Sequence, residues 1–379
     1  MSIKNKQFTH LDCFCGAGIG EAGTAQIDKI NTIHAFDNNK WAVKSYNHNF
    51  AKNHQPIAHI LNATTLIPTD LEIDDSISDS DLAKIANNIK NHLPYAEIIS
   101  GGFPCKPWST IGKCEGAKDK KHGNLGFVMC MIIRSLQPKA FLIENVDGLI
   151  NSRNKPYFLK MIEFLEESGF NVKWELINAS DYAIAQTRKR VFIIGIRKDI
   201  NSEYHFPKPT TTNPDSKLTI RDVIRDLPIS PNGTDEHECF YLRNDEKPFI
   251  DKVPQNGNWR DLSIEDQKAF MGKAFYSDGG RTGALRKVNL DSVAYTILSN
   301  AMGKTTAQIV DYGIGEPRRF SIRESLRLQS VPDSFSFAEG MPLAKKYERC
   351  SGIPSKLSKL LFEEIVKCLS NNGDENARY

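Results

Sequence analysis

The sequence lacks most of what would place it outside the ordinary globular class. No run of about 18 apolar residues occurs, and Met1 to Gln7 contains no apolar stretch, so neither a membrane span nor a secretory leader is expected. The eight cysteines include no Cys-x-x-Cys pair, and Cys13 and Cys15 stand apart from other soft ligands. That spacing speaks against a zinc or iron–sulfur site, and no metal is expected. Free thiols in a reducing cytoplasm are the plain reading. Neither sign of charge dominates: 49 basic side chains against 46 acidic ones leave +3, so net charge alone makes no case for a nucleic-acid partner. Internal repeats and low-complexity tracts are absent, and so is the Gly-x-Gly-x-x-Gly turn of dinucleotide-binding oxidoreductases.

What is present suits a large enzyme. The 379 residues, 40% apolar and 25% charged, can bury a core without disulfides or metals. Short β-branched or apolar runs at Leu11 to Phe14, Ile33 to Phe36, Glu97 to Ser100, Ala140 to Ile143, Val172 to Ile177 and Val191 to Ile196 read as strands. Helical patterns fall at Ile19 to Ile30, Asp81 to Ile89, Leu125 to Leu136 and Tyr157 to Glu167. Strands alternating with helices predict a mostly parallel sheet covered on both faces. From Pro207 to Pro317 the periodicity gives way to loop signals such as Asn256-Gly257 and Gly279-Gly280. Ser321 followed by Glu324 fits a capping box, and Leu357 to Leu369 reads as an amphipathic last helix. The expected domains are residues 1–199, an irregular 200–315, and 316–379 returning to the first.

Five stretches carry possible chemistry. Asp12-x-Phe14-x-Gly16-x-Gly18-x-Gly20 sets glycines directly after a strand, and Asp37 follows the next one. This is either a cofactor loop with an acid for ribose hydroxyls or a generic strand–helix turn. Gly101-Gly102-Phe103-Pro104-Cys105 puts a thiol at the carboxyl end of a central strand, as a nucleophile or as one more small core residue. After it, Lys106, Lys113, Lys118, Lys120 and Lys121 face only Glu115 and Asp119, a basic loop suited to phosphate or simply to solvent. Glu144 ends the neighbouring strand, as an acid or a solvated carboxylate, and Gln186-x-Arg188-x-Arg190 precedes another, with the two arginines expected on one face.

Taken in order, Phe14-x-Gly16-x-Gly18, Gly102-Phe103-Pro104-Cys105, Glu144-Asn145-Val146, Gln186-x-Arg188-x-Arg190 and Arg323-Glu324-x-x-Arg327-Leu328-Gln329-x-x-Pro332-Asp333 resemble the DNA (cytosine-5)-methyltransferase family. The blocks cover about residues 8–197 and 316–369 and leave the middle unmatched, as that family's variable target-recognition domain would be. The resemblance implies a Rossmann-like α/β fold binding S-adenosyl-L-methionine, with S-adenosyl-L-homocysteine as product, and no metal. It implies Cys105 as nucleophile, Glu144 on the ring nitrogen and amine of a flipped cytosine, Asn145 ordering the cysteine loop, Arg190 on the base carbonyl and Arg188 in support. Phe14, Gly16, Gly18, Gly20, Asp37, Asn38, Asn62, Gly102 and Leu125 would surround the cofactor, Ser109 would meet a phosphate, and Thr296-Ile297-Leu298 would close the recognition domain.

The implied partner is duplex DNA, bound by a monomer, with a cognate restriction endonuclease sharing the site without binding the enzyme. A prokaryotic or phage-encoded, cytoplasmic protein is expected. The alternative is a tRNA cytosine-5 methyltransferase of the same fold. Some positions depart from the family pattern: Lys106 in place of glutamine, Asn38 of tryptophan, Asn62 of aspartate, and Ser351-Gly352-Ile353-Pro354 in the last block. Arg221, Arg225, Arg243, Arg260, Arg281 and Arg286 are candidates for DNA contacts.

Overall fold

The β-branched runs do become strands, and their order sets up the site. A computed structural model describes residues 7–68, 77–104, 125–276, 284–300, 303 and 308–371. The first half reads β1 (Phe8–Cys13), α1 (Glu21–Thr24), β2 (Ile30–Asp37), α2 (Lys40–Phe50), β3 (Ala58–Ile60), α3 (Asp79–His92), β4 (Ile98–Gly101), α4 (Leu125–Leu136), β5 (Ala140–Val146), α5 (Lys155–Glu167), β6 (Phe170–Asn178) and β7 (Lys189–Arg197). These seven strands form one sheet in the order β3-β2-β1-β4-β5-β7-β6. The first five are parallel; β7 runs antiparallel between β5 and β6. The mostly parallel sheet expected from the alternation is present, with its strand order reversing between β1 and β4, where open α/β sheets bind ligands.

One main core packs Leu11, Phe36, Ile99, Phe141, Ile143 and Ile193 of the sheet against Ile85 and Ile89 of α3, Met129 and Ile133 of α4, and Phe158 and Leu165 of α5. One helical expectation is corrected, and one helix was not expected. The pattern at Ile19 to Ile30 yields only the four residues of α1; the chain then tightens into turns, Gln26 N–H donating to Gly23 O and Ile27 N–H to Thr24 O. The polar-looking Lys40–Phe50, which gave no clear signal, is a helix. Asn39 caps it by accepting from Trp41 and Ala42 N–H, and Ala42, Val43 and Tyr46 form its buried stripe.

The described residues divide into two compact units, the first up to Asn178 with Lys189–Lys208 and the chain from Leu357 onwards, the second Ala179–Arg188 with Pro209–Lys356. The second unit contains α6 (Ile220–Ile224), α7 (Lys247–Ile250), α8 (Ile264–Met271), β8 (Arg286–Lys287), β9 (Gln308–Val310), β10 (Arg318–Arg319), α9 (Ile322–Arg327) and α10 (Leu343–Arg349), and α11 (Ser355–Asn371) follows. Its only sheet among the described residues is β10-β9-β8. The unit boundaries lie elsewhere than the sequence expectation of 200–315: residues 316–356 pack with the irregular segment. Arg319 pairs with Glu246, and the β10 backbone is held to Phe240, so charge pairing rather than apolar periodicity decides where this stretch belongs.

Candidate active site

Parallel register lines up the loops that leave the sheet at its carboxyl edge. Asp37 on β2 lies opposite Ile60 on β3, Cys13 on β1 opposite both Phe36 and Gly101, and Gly101 on β4 opposite Ile143 on β5. Asn62, Asp37 with Asn38, Phe14, Gly102 and Glu144 therefore follow one another across five adjacent strand ends. These residues lie tens of positions apart in sequence, and the fold gathers them on one edge.

The glycine turn begins at Phe14, which has a left-handed φ of 55°, and continues through Gly16 at 56° and Gly18 at 89°. A side chain at Gly18 would stand 2.5 Å from the Phe50 ring, so glycine is required there by space as well as by backbone. Among the described residues, a Cβ at Gly16 would meet no atom within 4 Å, so the turn borders open space there. Gly20 differs: at φ −68° it caps α1 in an ordinary helical conformation. The Asp37 carboxylate holds the turn from the next strand, accepting from Gly16 N–H at 3.1 Å and from Asn39 N–H at 2.8 Å. Asn38 is exposed, and Asn62 is exposed and caps a short 3₁₀ turn by accepting from Thr64 N–H. Leu125, at the start of α4, is buried in the main core.

On the other side, Glu144 and Arg190 meet across the antiparallel β5–β7 ladder. Arg190 lies opposite Val146, two residues from Glu144 and so on the same face, and its Nε is 2.9 Å from Glu144 Oε1. Both side chains are only 12–14% exposed, which strengthens the pairing relative to a solvated one. Gly102 makes room for this carboxylate, since a Cβ there would be 3.0 Å from Glu144 Oε2. Asn145 is buried and donates from Nδ2 to Phe103 O at 3.1 Å, fixing the backbone two residues before Cys105. Cys105 itself, Lys106, Ser109, the other loop lysines and Arg281 lie outside the described residues.

Arg188 directly precedes β7, and its buried guanidinium donates to Ile297 O at 3.4 Å and to Ser351 Oγ at 3.3 Å within the second unit. Its neighbour Gln186 was named in the same motif without a role. That fully buried amide accepts from Ile297 N–H and donates to Leu328 O, while Thr296 Oγ1 donates to Thr187 O. The threonine block and the Gln-x-Arg segment are thus one structural element, a signal present in the pairing of a polar amide with the two arginines.

This sheet order and the row of loops at its carboxyl edge define a Rossmann-like methyltransferase catalytic unit. The architecture matches that of a putative DNA modification methyltransferase from an E. coli prophage, with TM-score 0.62 and 17% identity over 96% of this chain and all of that one. The S. pombe Dnmt2 methyltransferase has the same fold, with TM-score 0.61 and 14% identity over 96% of this chain and all of that one. The sequence decides the family. The C-5 cytosine-specific DNA methylase family matches residues 8–367, and the chain belongs to it. It is 30% identical to the type II methyltransferase M.Sau96I of Staphylococcus aureus over 368 residues, covering 97% of this chain and 77% of that protein. To M.FnuDI of Fusobacterium nucleatum it is 32% identical over 296 residues, 75% and 80% of the two chains. The protein is accordingly an S-adenosyl-L-methionine-dependent DNA (cytosine-5)-methyltransferase, acting on a base flipped out of DNA.

Proposed function

We propose that the enzyme methylates cytosine within a specific duplex sequence and that the residues gathered at the sheet edge divide the work. The observation that carries this reading is the half-sheltered Glu144–Arg190 pair beside Gly102, next to a turn bordering open space. Glu144 protonates or strongly hydrogen-bonds ring nitrogen 3 and accepts from the exocyclic amine, while Arg190 donates to the base carbonyl. With charge on the ring stabilised in this way, the Cys105 thiolate adds at carbon 6 and makes carbon 5 nucleophilic. Asn145 holds the backbone leading to Cys105, and Arg188 braces the segment before Arg190 through Ile297 and Ser351. After transfer, a base removes the proton from carbon 5, the thiolate leaves and the ring is restored.

S-adenosyl-L-methionine supplies an electrophilic methyl group when bound. Phe14, Gly16, Gly18, Gly20 and Gly102 would hold it, with Asp37 on the ribose and Asn38 and Asn62 toward the adenine. Open space at Gly16, backbone N–H groups in a left-handed turn and a carboxylate fixed alongside fit such a ligand. Leu125 would bear on it from the core. Sequence-reading contacts belong to the segment 200–315, and the enzyme works as a monomer, one half of a restriction–modification pair whose endonuclease reads the same site.

A duplex containing 5-fluorocytosine at the target tests the chemistry, because fluorine does not leave as a proton. Wild type should form a covalent adduct that survives denaturation, and Cys105→Ser should form none while retaining most of its DNA affinity. Undiminished methylation by Cys105→Ser would overturn the assignment. Methyl acceptance by tRNA rather than by duplex DNA would overturn the substrate.

A further inference from the structure

Beneath the glycine turn, five side chains of the first unit form a continuous hydrogen-bonded relay between two carboxyl groups. Glu21 Oε1 lies 2.7 Å from Thr32 Oγ1, which lies 2.9 Å from His10 Nδ1. His10 Nε2 is 2.8 Å from Ser100 Oγ, and Ser100 Oγ is 3.1 Å from Asp12 Oδ1. The relay joins α1 to β2, β1 and β4, and it ends at Asp12, two residues before Phe14. Glu21, Thr32 and His10 are each at most 5% exposed.

Other charged and titratable groups surround it. The Lys52 ammonium donates to Thr32 O and to Asn31, and it acts electrostatically on both His10 and Glu21. The Tyr46 hydroxyl on α2 faces both carboxyls and favours the charged form of each. Asp37 and the Cys13 and Cys15 thiols lie on the Asp12 side, and the Phe362 ring of α11 packs on His10 at 5.1 Å.

Counting protons shows what the relay needs. Four links require four protons, and Thr32, Ser100 and a neutral His10 supply one each. His10 does not supply a second, because burial, aided by Lys52, lowers its pKa to about 3. The fourth proton sits on a carboxyl. With Glu21 protonated, Glu21 donates to Thr32, Thr32 to His10 Nδ1, His10 Nε2–H to Ser100, and Ser100 to an anionic Asp12. With Asp12 protonated, every link reverses. Thr32, His10 and Ser100 each accept one proton and give one up, and the ring N–H moves from Nε2 to Nδ1.

We propose that Glu21 is a positioning residue for the methyl-donor site, sharing one proton with Asp12 along this relay, and that the cationic cofactor binds when that proton is on Glu21. The inference rests on the cofactor reading of the glycine turn given above. Burial raises Asp12 to about 7 and Glu21 to about 8, the second helped by the Asp12 charge. Both carboxyls therefore exchange their protons across neutral pH rather than in acid. S-adenosyl-L-methionine carries a sulfonium and an ammonium against one carboxylate, so an anionic Asp12 favours it and a protonated one does not.

Calorimetry of S-adenosyl-L-methionine binding to the full-length protein, in two buffers of different ionisation enthalpy, tests this without reference to activity. Wild-type affinity should be highest between about pH 7 and 8, where the pair holds one proton, and fall on both sides, approaching tenfold per pH unit away from that window. Binding just below pH 7 should release a fraction of a proton. In Glu21→Gln, whose amide still donates to Thr32 but titrates nothing, the alkaline loss should disappear and only the loss through about pH 7 remain. An alkaline loss that persists in Glu21→Gln, or wild-type binding with a flat profile and no proton release, would overturn the inference and leave the cofactor reading standing. No binding at any pH would overturn both.

Discussion

The two units of this enzyme are held together by different physics. In the first, long strands satisfy their own backbone groups, and one large apolar cluster fills the space between sheet and helices, with the His10 relay as its buried polar exception. The second has short helices, strands of two or three residues and a modest apolar cluster around Leu242, Trp259, Phe270 and Ile309. Its irregular segments leave carbonyls that no ladder satisfies, and arginines reach them. Arg318 donates to Ile229 O while pairing with Glu324 at 2.7 Å. Arg323 donates to Asp235 O and Phe335 O, and Arg327 to Val223 O and to Asp333. Arg319, with a 1% exposed side chain, donates from Nη2 to both carboxylate oxygens of a fully buried Glu246. The block Arg323-Glu324-x-x-Arg327 thus works as scaffolding: its side chains stitch remote loops together.

If that contrast is right, breaking a buried pair should damage the second unit more than trimming a surface contact. Arg319→Met leaves Glu246 buried without its cation and should cost about 3–5 kcal/mol. Hydrogen exchange should show the loss in peptides of the second unit, with those of the seven-stranded sheet protected as before. Adding Glu246→Gln, whose amide oxygen still accepts from Arg243 N–H, should recover most of that loss. Equal deprotection of both units would mean that they unfold as one, and the contrast would fail.

A smaller effect is expected at the Ser321 cap. Its hydroxyl accepts from Glu324 N–H at 3.1 Å, Glu324 accepts from Ser321 N–H at 2.7 Å, and His237 Nδ1 lies 2.9 Å from the same hydroxyl. Ser321→Ala removes the cap and one partner of a buried histidine, and should cost roughly 0.5–2 kcal/mol in urea unfolding. A cost as large as that of Arg319→Met would shift the weight from ion pairs to caps.

The same contrast explains what could be read in advance. β4, β5, β6 and β7 lie within a few residues of their expected positions and α4 spans Leu125–Leu136 as read, because an apolar sheet writes its periodicity directly into sequence. The capping box at Ser321 and Glu324 was legible for a similar reason, being local. Glu144 with Arg190, and Asp37 with the glycine turn, were named as candidates, but their meeting depends on strand order, which no local pattern records. The second unit was legible only as irregular. A buried Arg319 or Gln186 looks like any polar residue until its partner, 73 or 111 positions away, is known. The relay under the turn escaped for the same reason, since His10, Glu21, Thr32 and Ser100 come from four elements.

The smallest effect should come from the exposed pair in the second unit, Arg221 with Asp291. The geometry is good: the guanidinium is bidentate, with Nη2 at 3.1 Å from Oδ2, and it ties α6 to the loop after β8. The side chains, however, are 51% and 65% exposed, so water and salt compete for both charges. The hydrogen bond from Arg221 holds the Asp291 carboxyl below the usual carboxylate range. Any stabilisation is therefore present at neutral pH and lost as acid titrates Asp291 through its lowered value. Arg221→Gln should leave the urea midpoint unchanged within error at physiological ionic strength. A midpoint shift approaching that of Arg319→Met, present at pH 7 and absent in strong acid, would show that pairing alone braces the second unit and that burial of the pair adds nothing.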